Sequence, residues 1–315
     1  MSLTIGVDVG GTKVAAGVVD EDGRILAESR RETPARDPDA VVGTIVEAIN
    51  ELRAEREVEA IGVAAPGFVD ESRSIVRIAP NIPGWKDRKL KAEIEERVGL
   101  PTVIENDANA AAWAEARHGA GKDEDELIMV TVGTGVGGGI VTGGKLYRGR
   151  FGSAAEVGHM KVISGGRPCG CGQRGCWEQY ASGQALVREA RTLAAQDRDA
   201  AERLLSLGDG TPEGIEGLHV TQAARDGDEV AVGAFGAIGV WLGVGLADLA
   251  AVLDPGCFII GGGVSEAGDL LLEPARRAFS ENLTGRALRP IAAIIAAQLG
   301  NDAGIVGAGD LARHR

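Results

Sequence analysis

Runs of apolar residues near the amino terminus predict three strands joined by tight turns. Leu3–Val9 is apolar over the length of a strand, the segment "GGTK" follows, and Val14–Asp20 is again strand-like. The turn "EDGR" then leads to a third predicted strand over Ile25–Arg30. Because the glycine turn joins strand to strand, not strand to helix, the βαβ unit of dinucleotide-binding proteins is a poor fit.

Beyond these strands the pattern alternates between helical and strand periodicity, which is typical of α/β proteins. The predicted elements are a helix over Asp39–Arg53, a strand over Ala60–Ala65, a helix over Lys89–Val98, a strand over Thr102–Glu105, a helix after Asn106 and Asp107, a strand over Cys257–Ile260 and a terminal helix over Ala303–Arg313. Val230–Ala247 is uncharged over nearly the length of a membrane span, but its glycines and the acidic residues beyond both ends favour a buried core helix.

The pattern of the amino terminus returns after Leu127. The segment "LIMVTVGTGVGGGIV" matches "LTIGVDVGGTKVAAGVV" in its arrangement of strand, glycine-rich turn and strand. This internal similarity indicates a duplication and therefore two related α/β lobes. We place the lobe boundary near Asp107. The predicted smaller lobe is formed by residues 1–107 with 302–315, and the larger lobe by residues 108–301.

Composition and charge narrow the classes of function. The 315 residues are 44% hydrophobic and 25% charged, as in globular proteins, and they carry a net charge of -13. This charge disfavours nucleic acid and acidic membranes as partners, because the overall field repels polyanions. The first residues lack a basic segment followed by a cleavage site, so we expect a cytoplasmic protein.

Three glycine clusters lie at the ends of predicted strands. They are "DVGGTK" at 8–13, "TVGTGVGGG" at 131–139 and "GGGVSEAG" at 261–268. Each alone could be only a tight turn, but three such clusters favour backbone N–H groups that bind the phosphates of a nucleotide. The third cluster precedes a predicted helix, whose N-terminus favours an anion. The Walker motif is absent, so the chain is not a P-loop NTPase.

Three of the four cysteines lie close to a histidine in residues 158–179, "GHMKVISGGRPCGCGQRGCWEQ". The spacing of Cys169 and Cys171 disfavours a disulfide between them, and a redox pair would need C-x-x-C. His159 with Cys169, Cys171 and Cys176 is a Cys3His set, which is a ligand set of tetrahedral zinc. Four protein ligands leave no open position for catalysis, so we predict a structural zinc ion that holds a glycine-rich loop.

The ordered set of motifs resembles the ROK family of sugar kinases and sugar-responsive repressors, within the actin-like and hexokinase ATPase superfamily. The motifs are "DVGGTK", "APG" at 65–67, "END" at 105–107, "TVGTGVGGGIV", "EVGH" at 156–159, the cysteine cluster and "GGGVSEAG". The resemblance implies an α/β fold of two actin-like (ribonuclease H-like) lobes with a cleft between them, plus a zinc-pinned loop. It also implies ATP with Mg2+ as the phosphoryl donor and a homodimer or homotetramer.

By this resemblance Asp107 is the general base, although the local sequence alone would allow it to be only a helix cap. The sugar contacts implied by the family are Gly67, Asn81, Asn106, Asp107, Glu156, His159 and Glu178. The nucleotide side is assigned to Asp8, Gly10, Gly11, Thr12, Lys13, Gly133, Thr134, Gly135, Gly262 and Gly263. Within that set, Asp8 is the carboxylate expected near magnesium, acting through water.

The implied reaction is transfer of a phosphoryl group from ATP to the 6-hydroxyl of glucose. A kinase for N-acetylmannosamine, N-acetylglucosamine or fructose stays open, because the polar sugar contacts are largely shared. A sugar-sensing regulator without activity is the alternative from another class. Such relatives carry an N-terminal winged helix, which we do not expect here because the first strand starts at Leu3. Polyphosphate as the donor lacks support, since no basic groove is evident.

Overall fold

The computed structural model describes residues 2–314 as alternating strands and helices, which confirms the predicted α/β class. The strands are β1 (Thr4–Val9), β2 (Lys13–Val19), β3 (Ile25–Glu32), β4 (Ala60–Ala65), β5 (Phe68–Val69), β6 (Val76–Ile78), β7 (Lys86–Arg88), β8 (Thr102–Asn106), β9 (Leu127–Val132), β10 (Val136–Thr142), β11 (Lys145–Leu146), β12 (Cys257–Gly261) and β13 (Ala293–Ala296). The α-helices are α1 (Pro38–Arg53), α2 (Leu90–Val98), α3 (Asp107–His118), α4 (Glu178–Ala181), α5 (Gly183–Gln196), α6 (Glu202–Leu207), α7 (Gly217–Arg225), α8 (Glu229–Leu253), α9 (Asp269–Asn282) and α10 (Ala303–Arg313).

Two five-stranded sheets share one strand order. The first sheet runs β3-β2-β1-β4-β8 and the second runs β11-β10-β9-β12-β13. In the first sheet β1, β2 and β3 are antiparallel neighbours, whereas β4 pairs in parallel with both β1 and β8. The matching order confirms the duplication that the sequence indicates. A smaller sheet has the order β5-β6-β7.

The chain divides into two compact units, but not at the predicted boundary. The first unit comprises residues 1–129, 139–155 and 297–315, and the second comprises 130–138 and 156–296. Helix α3, which follows Asp107, therefore belongs to the first unit. The reason is close packing against α10: a Cβ added to Gly307 would lie 1.8 Å from the carbonyl oxygen of Ala110.

The first sheet is covered by α1 on one face and by α10 on the other. Ile5 and Val7 of β1 are fully buried in a cluster that also contains Ile45 of α1. Alternate residues of a strand point to opposite faces, and here the alternate residues include glycines. A Cβ on Gly6 or on Gly62 would lie 1.8 Å from a backbone carbonyl oxygen of α10. The helix therefore lies directly on the sheet backbone.

Within residues 2–314, α8 is the one helix long and apolar enough to cross a membrane by length and composition. In its most apolar stretch, 61% of the residues are buried inside the structure. Its glycines allow α9 to come close: a Cβ on Gly243 would lie 2.3 Å from the carbonyl oxygen of Ala275. This packing fits the predicted core helix.

We predict that Gly62→Ala destabilises the first unit, because the new Cβ would collide with the carbonyl oxygen of Ala308. Overpacking against immovable backbone should cost about 1–3 kcal/mol or more. Gly43→Ala is the matched control, since Gly43 lies in α1 with nothing within 4 Å of its added Cβ. That change should stabilise the chain by about 0.5–1 kcal/mol through helix propensity. Urea denaturation followed by circular dichroism measures both, and equal midpoints for the two variants would refute the packing argument.

Candidate active site

The catalytic candidate Asp107 lies where β8 ends and α3 begins. The side chain of Asn106 accepts the N–H of Asn109 at 3.0 Å, so Asn106, not Asp107, caps the helix. The amide of Asn106 also donates to the carbonyl of Gly67 and to Oδ1 of Asp107, each at 3.0 Å. The structure thus brings Gly67, Asn106 and Asp107 together, and it gives the capping role to the neighbour of Asp107.

The environment of Asp107 and Asp8 favours their protonated forms. Burial raises the pKa of Asp107, and hydrogen bonds from the Ala108 N–H and the Asn106 amide offset this only in part. Burial, followed by the negative charge of Asp107, raises the pKa of Asp8 from 3.8 to about 6, although Lys13 opposes the change. A carboxyl with a raised pKa is a better proton acceptor once it is ionised.

A buried charge network centred on Glu105 contacts Asn106, the neighbour of Asp107. This network was not predicted from the sequence. Glu105 has an exposed fraction of 1%. Its Oε1 accepts the N–H of Asn106 at 2.9 Å and the amide of Asn109 at 3.2 Å. Its Oε2 lies 3.1 Å from Nε of Arg73 and 2.8 Å from Nε of Arg148. The available signal was a glutamate at the end of the otherwise buried strand "TVIE".

The first glycine turn lies next to Asp8 and leaves its side chains accessible. The N–H of Gly10 donates to the carbonyl of Lys13 at 2.8 Å, and Gly11, Thr12 and Lys13 are exposed. Asn81 lies beside this turn, since its Cβ is 3.8 Å from the position that a Cβ on Gly11 would take. Asn81, which we predict as a sugar contact, therefore lies close to the glycine turn that we assign to the nucleotide.

The four predicted metal ligands lie together in the second unit. The ligand atoms of His159, Cys169, Cys171 and Cys176 are all within 4.8 Å of one another. Nδ1 of His159 lies 3.7 Å from Sγ of Cys169, and Sγ of Cys171 lies 3.7 Å from Sγ of Cys176. Tetrahedral zinc with Zn–S bonds of about 2.3 Å spaces its sulfur ligands about 3.8 Å apart. The cluster fits a structural zinc ion.

The thiols of the cluster differ in how readily they ionise. Burial opposes ionisation of Cys171, but the N–H of Gln173 and the thiols of Cys169 and Cys176 lower its pKa overall. Burial raises the pKa of Cys169 and of Cys176. The thiolate is the form that binds metal, so zinc binding requires all three thiols to lose their protons.

The loop that carries these ligands turns at glycines and ends in the core. Gly172 and Gly175 have φ values of 85° and 79°, which glycine adopts without a steric penalty. Trp177 follows the last ligand, is fully buried and donates its ring N–H to the carbonyl of Trp241 at 2.7 Å. The loop is thus anchored by a buried aromatic side chain at one end.

The second unit has three predicted sugar contacts at or beside this cluster: Glu156, His159 and Glu178. The N–H of His159 donates to the carbonyl of Glu156 at 3.0 Å. Oε1 of Glu178 lies 3.7 Å from Nδ1 of His159 and accepts from Sγ of Cys169 at 2.8 Å. Two carboxylates and an imidazole are therefore held by one loop, which is the type of polar surface that binds sugar hydroxyls.

A cavity of about 1100 Å³ lies in the second unit beside the glycine clusters. Gly133, Thr134 and Gly263, which the sequence assigns to the nucleotide, are among its lining residues. The remaining polar lining comes from helices and loops that are far apart in sequence, so no local motif could identify it. These residues are Gln184, Arg188, Arg191, Thr192, Glu213, Glu216, Thr221 and Glu266.

Two glycines of the nucleotide assignment are placed differently. Gly262 has a φ of 84°, and its added Cβ would meet the backbone of Val132 at 2.5 Å. It precedes the 3-10 turn Gly263–Ala267, and α9 begins only at Asp269, because Gly268 at a φ of 60° interrupts the helical path. The helix predicted after this cluster is therefore confirmed as α9, but a 3-10 turn separates it from Gly262. Gly135 faces the carboxylate of Glu178, not the cavity.

The duplicated sheet order, the glycine turns and the Cys3His cluster together define a sugar-kinase-like α/β protein. The chain belongs to the ROK family, which it matches over residues 4–315. It is 55% identical to the glucokinase of Streptomyces coelicolor over 100% of this chain and 98% of that protein. It is 36% identical to the glucokinase of Thermotoga maritima, with coverage of 99% and 97%. A ROK family glucokinase from Streptomyces griseus, solved in complex with glucose and AMPPNP, is 54% identical with a TM-score of 0.91 over 100% of both chains.

We predict that Cys171→Ala loses bound zinc, because three ligands hold the metal and its loop poorly. Zinc per chain after exhaustive dialysis, measured by atomic absorption, should fall well below the wild-type value. Cys257→Ala is the matched control, since Cys257 is a buried cysteine in β12 outside the cluster. Full retention of zinc by Cys171→Ala would show that the cluster is not the metal site.

We predict that Asp8→Asn stabilises the chain at neutral pH but not in acid. Native Asp8 keeps its proton up to about pH 6, whereas the unfolded side chain loses it near 3.8. The stability of the wild type therefore falls as the pH rises through that window, and the uncharged asparagine avoids the loss. Thermal unfolding without Mg2+ should give the variant a higher midpoint at about pH 7 and an equal one at about pH 4. A lower midpoint at neutral pH would contradict the raised pKa.

Proposed function

We propose that this chain transfers the γ-phosphoryl group of ATP to the 6-hydroxyl of glucose, with Asp107 as the general base. The observation that carries the assignment is the placement of Asp107 next to the Asn106 amide, with the helix cap already supplied by Asn106. The kinases described above, named glucokinases and in one case bound to glucose and AMPPNP, support the substrate pair.

In the proposed step, Asp107 accepts the proton of the sugar hydroxyl as that oxygen attacks the γ-phosphorus. The raised pKa of Asp107 suits this role, because general bases work best when their pKa approaches the working pH. Asn106 would hold the same hydroxyl region, since its amide already donates toward Asp107 and Gly67. Glu105 keeps Asn106 in place through its backbone N–H and is itself neutralised by two arginines.

The second unit supplies the remaining sugar contacts in this proposal. Glu156 and Glu178 would accept hydrogen bonds from hydroxyls, while His159 would donate from the ring nitrogen that does not face the thiols. The four cluster residues would hold a structural zinc ion, which supplies rigidity to the loop and no chemistry. An isomer that leaves one of these polar groups without a hydrogen bond would bind poorly.

The nucleotide is assigned to the cavity of the second unit. Its volume of about 1100 Å³ is sufficient for a nucleoside. Leu186, Val187 and Val264 supply apolar walls for a base, and the turns at Gly133 and Gly263 supply backbone N–H groups for phosphate oxygens. Asp8 would hold Mg2+ through water, where the ion neutralises phosphate charge.

We also propose a preferred sugar, a cellular compartment and an assembly for this chain. Glucose is preferred over fructose or an N-acetylated hexosamine on the strength of the named relatives, because the polar contacts do not separate these sugars. None of the four cysteines, all of which lie within the described residues, forms a disulfide, which suits the reducing cytoplasm that we propose for this chain. A homodimer or homotetramer is the assembly that we expect from the family.

We predict that Asp107→Asn lowers the turnover rate by about 10²-fold or more, the usual scale for loss of a general base. Asparagine keeps the size and the hydrogen bonds but cannot take the proton at neutral pH. Sugar binding should change little, and the thermal midpoint should not fall, because Asn106 caps the helix in both proteins and asparagine avoids the cost of ionising a buried carboxyl. A coupled assay of ADP release at saturating glucose and ATP gives the rate.

The matched control is Asp269→Asn, since Asp269 is also the first residue of a helix and lies outside the candidate site. Its turnover should equal that of the wild type. If Asp107→Asn also keeps near-normal turnover, Asp107 is not the base and the proposed mechanism fails. The same assay across glucose, fructose and the N-acetylated hexosamines would settle the acceptor.

A further inference from the structure

Gly135 of the second glycine turn lies directly against a sugar-binding candidate. A Cβ added to Gly135 would lie 2.6 Å from Oε2 of Glu178. Gly133, two residues earlier in the same turn, has nothing within 4 Å of its added Cβ. Neither glycine has a positive φ, so alanine is compatible with the backbone at both positions. The two glycines therefore differ only in what their missing side chains would meet.

The Glu178 carboxylate lies at the edge of the metal cluster. Its other oxygen, Oε1, accepts from Sγ of Cys169 at 2.8 Å and lies 3.7 Å from Nδ1 of His159. A carbon and an oxygen in contact prefer about 3.3 Å or more, so a methyl group at residue 135 would displace Oε2 by about 0.7 Å. The end of a glutamate side chain can make that shift without unfolding the protein. A displacement of this size is nevertheless enough to spoil a binding geometry.

One continuous segment, residues 178–183, contacts the second glycine turn at both Gly135 and Gly133. Glu178 begins α4, and Gly183 begins α5 directly after it. The N–H of Gly183 donates to the carbonyl of Gly133 at 2.8 Å, while the N–H of Gly133 donates to the carbonyl of Gly135 at 3.0 Å. The segment that contains the sugar carboxylate thus touches the turn at Gly135 and supports it at Gly133.

The geometry points to a second role for Gly135: its missing side chain positions the Glu178 carboxylate and so sets the affinity for the sugar. This inference rests on the proposed sugar contact of Glu178. Gly135 is then a positioning residue for the sugar, whereas Gly133 and Thr134, which line the cavity, serve the nucleotide. The turn that was assigned as a whole to ATP is divided between two ligands.

The test is calorimetric titration of glucose into zinc-loaded, nucleotide-free protein. Gly135→Ala should weaken glucose binding by roughly tenfold, because the carboxylate is displaced before any nucleotide is present. Gly236→Ala is the control, because Gly236 lies in α8 outside the assigned sites and its added Cβ would meet nothing within 4 Å, so this variant should bind glucose as the wild type does. Zinc content should match the wild type in both variants and the thermal midpoint should not fall, which separates positioning from a general structural defect.

A double-mutant cycle adds a second readout. Glu178→Asp shortens the side chain by one methylene and draws the carboxylate back from the position that the new methyl group would occupy. Adding Gly135→Ala to Glu178→Asp should therefore cost much less than tenfold, whereas independent effects would multiply. The inference is overturned if Gly135→Ala binds glucose normally, if it loses zinc, or if the two effects are independent. If the wild type itself neither binds glucose nor forms glucose 6-phosphate, the proposed function fails before any variant is compared.

Discussion

The close approach of α10 to the first sheet determines where the catalytic candidates lie. Glycines at Gly6 and Gly62 let the helix backbone rest on the strand backbones, at distances that no side chain would allow. The same helix then presents Gly304 to Asp8, where an added Cβ would lie 2.7 Å from the carboxyl carbon. Through Gly307 it also contacts α3, whose first residue is Asp107. Asp8 and Asp107 are thus positioned by the same helix.

In the second unit, by contrast, the sugar-binding candidates lie in or next to a loop with little regular structure. Backbone hydrogen bonds alone leave such a segment with many accessible conformations, and ordering it costs entropy for every residue. A metal that binds only the folded loop offsets this cost by mass action. A bound metal would then help to hold the spacing of Glu156, His159 and Glu178, the last of which also begins α4. In the second unit, metal ligation would therefore hold the candidate residues in place, as the sheet and its helix do in the first unit.

Much of the fold and part of the site could be predicted from the sequence. Strand runs, the returning glycine pattern and the Cys3His spacing are local signals, so the duplication and the ligand cluster were predictable. The boundary near Asp107 was not, because the place of α3 is decided by its contact with Gly307, almost two hundred residues later. The Glu105 network and the cavity lining could not be predicted for the same reason, because they too depend on contacts between residues far apart in sequence. The different neighbours of Gly133 and Gly135 leave no trace in the sequence, since both positions are simply glycine.

The position of α10 in the chain has a consequence for biosynthesis. The hydroxyl of Thr4 donates to the carbonyl of Gly309 across 305 positions of sequence. The helix that covers one face of the first sheet therefore leaves the ribosome after residues 156–296 of the second unit have been made. The amino-terminal strands must wait with one face uncovered, against the usual order in which domains fold as they emerge. A nascent chain that stops before α10 lacks the helix that positions both Asp8 and Asp107.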